Sequence, residues 1–175
     1  MLGKRLMHQT QLILKNLFPK LLHTLGSSIA NNPTAVKENE EISCFIVHEK
    51  DRVKSTNTIR YNRLMPRRNS KNNRLEVSIC RSSSLSEAAL WNICSRYFDS
   101  SQQHPAIGRG ISETKFVFSE NLYFDADGIP YPEHANIIGW QDSPSTPDDE
   151  LKNNWMYQAQ AMAAHFHFYE RPKVK

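Results

Sequence analysis

The residue best placed for acid–base chemistry is His134, which opens the stretch HANIIGW. The approach is held extended by Pro130 and Pro132, and the apolar run that follows predicts a short strand with at least one buried face. An imidazole at the mouth of such a strand can act as acid, base or ligand, with Glu133 beside it to orient the ring. A lone histidine at a strand end is also commonly a hydrogen-bonded structural residue, and the sequence favours this second interpretation.

Two arginines are candidates for holding an anionic substrate near this histidine. Arg81 ends a predicted strand, and Arg109 lies between two glycines in a segment interpreted as a loop. If the strands of Arg81 and His134 are neighbours, these groups suit a small enzyme acting on a phosphate-bearing or nucleotide substrate, with His134 as acid or base. A structural role for both arginines is favoured instead. In this interpretation Arg81 pairs with an acid such as Glu76 or Glu87, and Arg109 lies in a mobile loop.

A third chemistry follows from a basic segment, residues 50–74, which carries nine Lys or Arg and one acid, Asp51. Arginine forks match phosphate geometry, and an aromatic such as Tyr61 can stack on a base, so the segment is a candidate RNA or DNA contact. A solvated basic loop is the simpler interpretation, because spacing alone does not bring the charges to one face. The nucleic-acid-binding candidates are Arg60, Arg63, Arg67, Arg68, Lys71 and Arg74.

The formal charge of +4 conceals a polarity along the 175 residues. Residues 1–37 carry five basic residues and no acid, whereas residues 112–150 carry nine acids and a single base, Lys115. Either the basic part meets an external anion, or the basic and acidic parts screen each other within the fold. Mutual screening is slightly favoured.

No metal site or cofactor is predicted. His165 and His167 are two positions apart on a predicted helix and point in different directions, and the Asp125–Gly128 run (DADG) is interpreted as a turn rather than a calcium loop. The usual nucleotide-cofactor and hydrolase motifs are absent from the sequence. The three cysteines lack metal or disulfide spacing, which predicts a reducing, cytoplasmic location. No apolar run is long enough to cross a bilayer.

Residues 1–26 form a basic amphipathic segment whose apolar positions follow the spacing of one helical face. Such a helix can pack on its own domain or on a partner protein, lie on a membrane surface, or serve as a transit peptide. Packing is favoured, and a membrane surface is disfavoured. The partner-binding candidates are Leu14, Leu17, Phe18, Leu21 and Leu25.

Residues 27–41 are polar and turn-rich and predict a linker, which leaves residues 42–170 as a single domain. Within it, strands are predicted at 42–49, 75–80, 115–118, 122–124 and 134–140, and loops at 50–74 and 102–110. Ser84 with Glu87 has capping-box spacing for a helix to about Phe98, and Thr146 is the predicted cap of a last helix. This order predicts an α+β fold: a small, largely antiparallel sheet with helices on one side, plus the N-terminal amphipathic helix.

Three stretches resemble a group of small uncharacterised bacterial proteins: VSICRSSSLSEAALWNI (Val77–Ile93), GRG at 108–110 and EHANIIGW (Glu133–Trp140). The shared pattern is a strand ending in Arg, a Leu-Ser-Glu helix with Trp, and a later His-Ala-Asn-Ile-x-Gly-Trp strand. It covers roughly residues 42–168, although Gln141 stands where the pattern has proline. The resemblance implies a bacterial cytosolic protein with one compact domain, and no activity is attached to it.

Three functions therefore stand as predictions. The first is a protein-interaction module of a bacterial multi-protein system, which docks its N-terminal helix into a groove of a partner. The second is the small enzyme with His134 as acid or base, and the third is an RNA-binding protein that uses residues 60–74. The sequence makes no prediction of oligomeric state.

Overall fold

The computed structural model describes residues 35–99, 104–143 and 147–173. The strands of this part are β1 (Glu41–Ile46), β2 (Arg52–Val53), β3 (Thr58–Ile59), β4 (Arg67–Arg68), β5 (Leu75–Arg81), β6 (Gly108–Glu113), β7 (Tyr123–Asp125), β8 (His134–Ile138) and β9 (His167–Glu170). The α-helices are α1 (Glu87–Ile93), α2 (Lys115–Phe118) and α3 (Asp149–Ala163), and α1 continues as a π-helical turn over Cys94–Phe98. Two 3₁₀ turns cover Glu49–Asp51 and Tyr61–Arg63.

Eight strands form one sheet in the order β2-β3-β9-β6-β1-β5-β8-β7, and β4 pairs with the start of β5. All the pairs in the described chain are antiparallel. The mixed helix and antiparallel sheet confirm the predicted α+β class. No helix of the described residues is both long and apolar enough to cross a membrane.

The helices cover both faces of the sheet, whereas the sequence analysis placed them on one side. Along β1, Ile42, Cys44 and Ile46 join a core cluster that includes most of the apolar face of α3. Phe45 joins a second cluster with Leu90 of α1. Because successive strand residues point to opposite faces, the two helices lie on opposite faces. The run ISCFI is apolar at nearly every position, which is the pattern of a strand buried on both faces.

Several predicted boundaries also differ. Residues 115–118 form a helical turn rather than a strand, and the segment predicted as a basic loop contains three short strands. Ser86, not Ser84, caps α1, since its side chain accepts a hydrogen bond from the N–H of Ala89. Asp148 caps α3, which ends at Ala163 so that β9 can follow.

Candidate ligand-binding site

A cavity opens where strands β1 and β5 part. The two strands pair only through Ile42 with Arg81 and Ser43 with Cys80, although β1 pairs with β6 over all six of its residues. Beyond that point, Cys44 of β1 and Ser78 of β5 line a cavity of about 530 Å³. The remaining lining residues are Arg63, Met65, Arg67, Arg68, Asn69, Ser70, Glu76, Val77 and Phe98. The gap between two central strands is thus an open pocket with both polar and apolar walls.

The basic segment is folded back over this gap. Arg63, at the end of a 3₁₀ turn, donates from Nη2 to the carbonyl oxygen of Phe45 at 3.0 Å. That carbonyl belongs to the part of β1 that no longer pairs with β5. The Nε of Arg63 lies 4.0 Å from a carboxylate oxygen of Asp51, whose side chain is buried. Arg63 therefore satisfies a backbone carbonyl that has no partner in β5, and it adds positive charge to the cavity wall.

Arg68 is held by an acid from the other half of the chain. Its Nη1 and Nη2 donate to the two carboxylate oxygens of Asp142 at 3.0 and 2.5 Å, and Nη1 also donates to the carbonyl of Asn73. The hydrogen bonds from Arg68 lower the pKa of the Asp142 carboxyl below its ordinary value. By contrast, the guanidinium of Arg67 makes no hydrogen bond or ion pair with any described residue, so its donors are available to a ligand.

Ser78, in the middle of the central strand β5, is exposed and gives the cavity lining a hydroxyl group. Its hydroxyl donates to Asn136 Oδ1 at 3.1 Å, and Asn136 Nδ2 donates to Asp127 Oδ2 at 3.1 Å. The other oxygen of Asp127 is 2.6 Å from Nδ1 of His134. A chain of hydrogen bonds therefore links Ser78 in the cavity lining to His134.

His134 opens β8 and is 8% exposed, with the ring of Tyr131 edge-on at 5.5 Å between centroids. Asp127 orients the imidazole, whereas the sequence analysis assigned that role to the neighbouring Glu133. Cys80 is the cross-strand partner of His134. Burial raises the pKa of the Cys80 thiol to about 12, so it is neutral near pH 7 and is not an activated nucleophile.

Arg81 and Arg109 do not converge with His134. Arg81 makes a paired contact with Glu40, at 2.8 Å from Nε and 3.0 Å from Nη2, and it is the cross-strand partner of Ile42. Arg109 is the partner of Phe45, and these two pairs lie on opposite faces of the sheet. His134 shares the face of Arg109 but is three strands away, about 14 Å at the usual strand spacing.

Arg109 is part of a buried network rather than a mobile loop. It lies in β6, is 8% exposed, and donates to Ser43 Oγ at 2.9 Å and to Glu87 at 2.7 Å. Glu87 also accepts from the indole N–H of Trp91 at 2.6 Å. Arg109 therefore anchors the start of α1 on the sheet. The glycines on either side, a turn signal in the sequence, belong to the same strand.

The six basic residues proposed for nucleic-acid binding are divided among different surroundings. Arg63, Arg67 and Arg68 line the cavity described above, while Arg60 lines a separate cavity of about 320 Å³ beside the end of α3. Arg74 is 2.6 Å from Asp125 and 3.4 Å from Glu76. Lys71 is exposed. The structure thus gathers half of this set at one site and does not line up the whole set on one surface.

The three cysteines are free and buried, and no group of three or more His, Cys, Asp or Glu in the described ranges has a geometry that could hold a metal ion. The predicted partner-binding residues, Leu14, Leu17, Phe18, Leu21 and Leu25, lie outside the described residues. The docking of this segment stays a prediction.

Comparisons with protein-family models, with curated proteins and with solved structures found no match.

Sequence reasoning did not single out Ser78, Asn136 and Asp127. Ser78 alternates with Val77 and Ile79 as a polar position of a half-buried strand, which predicts exposure but no role. Asp127 was assigned to a turn, and it does hold that turn by accepting from the N–H of Ile129 at 3.1 Å. Only the pairing of β5 with β8 brings the three side chains together.

Proposed function

We propose that this chain binds a small phosphate-bearing ligand in the cavity between β1 and β5. The observation that carries this proposal is that three arginines, Arg63, Arg67 and Arg68, line one cavity of about 530 Å³. Guanidinium groups match the planar, multi-oxygen geometry of phosphate, and Arg67 has its donors uncommitted within the described chain. The volume lies within the range of about 300–1,000 Å³ that is usual for small-molecule sites.

The lining also suits the rest of such a ligand. Met65, Val77 and Phe98 give apolar walls, and Asn69, Ser70 and Ser78 give polar groups. Small-molecule sites commonly combine a mainly apolar lining with a few placed polar groups that fix orientation. The cavity therefore supports the binding of a phosphate ester more than the binding of free phosphate alone.

The distribution of basic residues favours a small ligand over an RNA strand. Single-stranded RNA binding needs a continuous positive groove with aromatic platforms. Here Arg60 lines another cavity, and Arg74 is paired with Asp125. RNA binding by residues 60–74 and acid–base catalysis by His134 remain separate predictions.

The test is a titration of the full chain with a nucleoside 5′-monophosphate, followed by NMR chemical shifts. Replacement of Arg67 by Gln removes the uncommitted guanidinium, and we expect the affinity to fall at least about tenfold, as for the loss of a charged hydrogen bond. Arg60→Gln is the matched control, because it removes the same charge from the same segment outside the cavity. Its affinity is expected to stay within about twofold of the unaltered chain.

Two results would overturn the proposal. One is the absence of binding by the unaltered chain at millimolar ligand. The other is an equal loss in both variants together with tight, salt-sensitive binding to single-stranded RNA alone, which would establish the nucleic-acid reading instead.

A further inference from the structure

The carboxylate of Asp127 determines the direction of the hydrogen bonds that connect His134, Asn136 and Ser78. An ionised carboxylate can only accept, and Asp127 accepts from the backbone N–H of Ile129, from Asn136 Nδ2 and from His134 Nδ1. The amide of Asn136 therefore turns its nitrogen towards Asp127. The opposite orientation would set two acceptors against each other, with Asn136 nearly fully buried.

The orientation of Asn136 then decides what Ser78 presents to the cavity. Asn136 Oδ1 faces the Ser78 hydroxyl at 3.1 Å and accepts its one proton. A serine hydroxyl has one donor and two acceptor lone pairs, so Ser78 offers acceptors alone to a ligand. Glu76, the acidic residue named in the lining, is already engaged by Asn69 at 2.5 Å and by Arg74 at 3.4 Å.

The cavity lining thus presents arginine donors together with a Ser78 hydroxyl that can only accept. The geometry points to a ligand that carries both a phosphate group and a hydroxyl or N–H donor, as a sugar phosphate or a nucleotide does. This inference rests on the proposed function, and it specifies the ligand class of the same site. Phosphate esters with an apolar remainder would not make the hydrogen bond to Ser78 and would bind less tightly.

The inference also gives Asp127, Asn136 and His134 a role. They are positioning residues, since they set the direction of the hydrogen bond from Ser78 and do not themselves line the cavity. His134 contributes by holding the Asp127 carboxylate in place, since its Nδ1 lies 2.6 Å from Asp127 Oδ1.

The experiment compares three ligands on the full chain: inorganic phosphate, ribose 5-phosphate and n-pentyl phosphate. We expect ribose 5-phosphate to bind at least about fivefold more tightly than n-pentyl phosphate, a difference of one neutral hydrogen bond. Ser78→Ala should remove this preference. Ser78→Thr retains the hydroxyl, suits a strand, and should retain the preference.

The outcomes separate this inference from the proposed function. A preference for ribose 5-phosphate that survives in Ser78→Ala, or no preference in the unaltered chain, overturns the inference while phosphate binding stands. If none of the three ligands binds the unaltered chain, the proposed function fails and the inference fails with it. Ser78 is exposed, so neither variant removes part of the core.

Discussion

At the level of single residues, β6 shows why a glycine can be required in the middle of a strand. Gly110 pairs with Cys44 on one side and with Phe168 on the other. A Cβ placed on Gly110 would lie 2.6 Å from Cγ2 of Ile59, which is fully buried in the core. The chain therefore uses the missing side chain to bring β6 close to Ile59, not to make a turn.

Replacement of Gly110 by Ala should consequently destabilise the fold. Overpacking of a filled core costs about 1–3 kcal/mol, so the urea midpoint of unfolding should fall with little change in slope. The double-mutant cycle with Ile59→Ala provides the control, because the truncated side chain makes room for the new methyl group. An equal cost of Gly110→Ala in both backgrounds would show that Ile59 is not the neighbour responsible.

The partners of Arg109 and His134 could not be predicted from the sequence. The glycines at 108 and 110 are ordinary turn signals, which predict a loop around Arg109. In the structure Arg109 is buried in β6 and donates hydrogen bonds to Ser43 and Glu87. His134 was correctly placed at the start of a strand, but its partner Asp127 is seven residues earlier in a turn. Such partners depend on tertiary approach, which local patterns do not encode.

At the level of elements, two serines are candidates for the N-cap of α1. Ser84 has the capping-box spacing to Glu87, but the side chain of Ser86 accepts from Ala89 N at 3.2 Å. Glu87 is drawn away to Arg109 and Trp91 and so does not complete a capping box. Tertiary contacts have overridden the local motif.

Ser86→Ala should therefore lower the free energy of unfolding by about 1 kcal/mol, the usual cost of a lost N-cap. Ser84→Ala is the matched control, two residues earlier and also exposed, and its effect should be within about 0.5 kcal/mol of zero. Both values come from urea denaturation followed by circular dichroism. A larger loss of stability in Ser84→Ala than in Ser86→Ala would show that Ser84 is the N-cap, as the sequence predicts.

The elements that sequence patterns predicted best are those with a strong and complete pattern. The alternation of β5 and the long apolar stripe of α3 are both present in the structure. The short strands β2, β3 and β4 have only two residues each, too few for any periodicity to be visible. Residues 50–74 were therefore predicted as a loop, although pairing of Arg67 with Glu76 helps to form the candidate site.

At the level of the whole molecule, ion pairs connect the basic and acidic parts of the chain. Arg68 contacts Asp142, and Arg74 contacts Asp125, so two members of the basic segment reach the acidic stretch between residues 112 and 150. These contacts support the expectation that the two parts screen each other. They also join the end of β7 and the residues after β8 to the segment that covers the cavity.

Carboxyl groups that pair with arginines make the free energy of unfolding depend on pH. The pKa of Glu40 is raised by burial, but hydrogen bonds from Arg81 and from the N–H of Lys37 outweigh this, so the pKa is lowered overall. Asp99 behaves in the same way, because the N–H of Ala106 and the guanidinium of Arg171 outweigh its burial. A carboxyl with a lowered folded pKa contributes stability above its unfolded pKa, near 4, and loses it as pH falls through the folded value.

Glu40→Gln should therefore be less stable than the unaltered chain at pH 6, by about 1–3 kcal/mol as for a hydrogen bond to a charged group. The difference should shrink as the pH falls below about 4, because Glu40 then becomes protonated and the unaltered chain loses the same contribution. Glu38→Gln is the control, an exposed neighbour that should show no such pH-dependent difference. Urea midpoints measured from pH 3 to pH 7 decide the matter: a constant difference across this range would mean that Glu40 acts through packing and not through its charge.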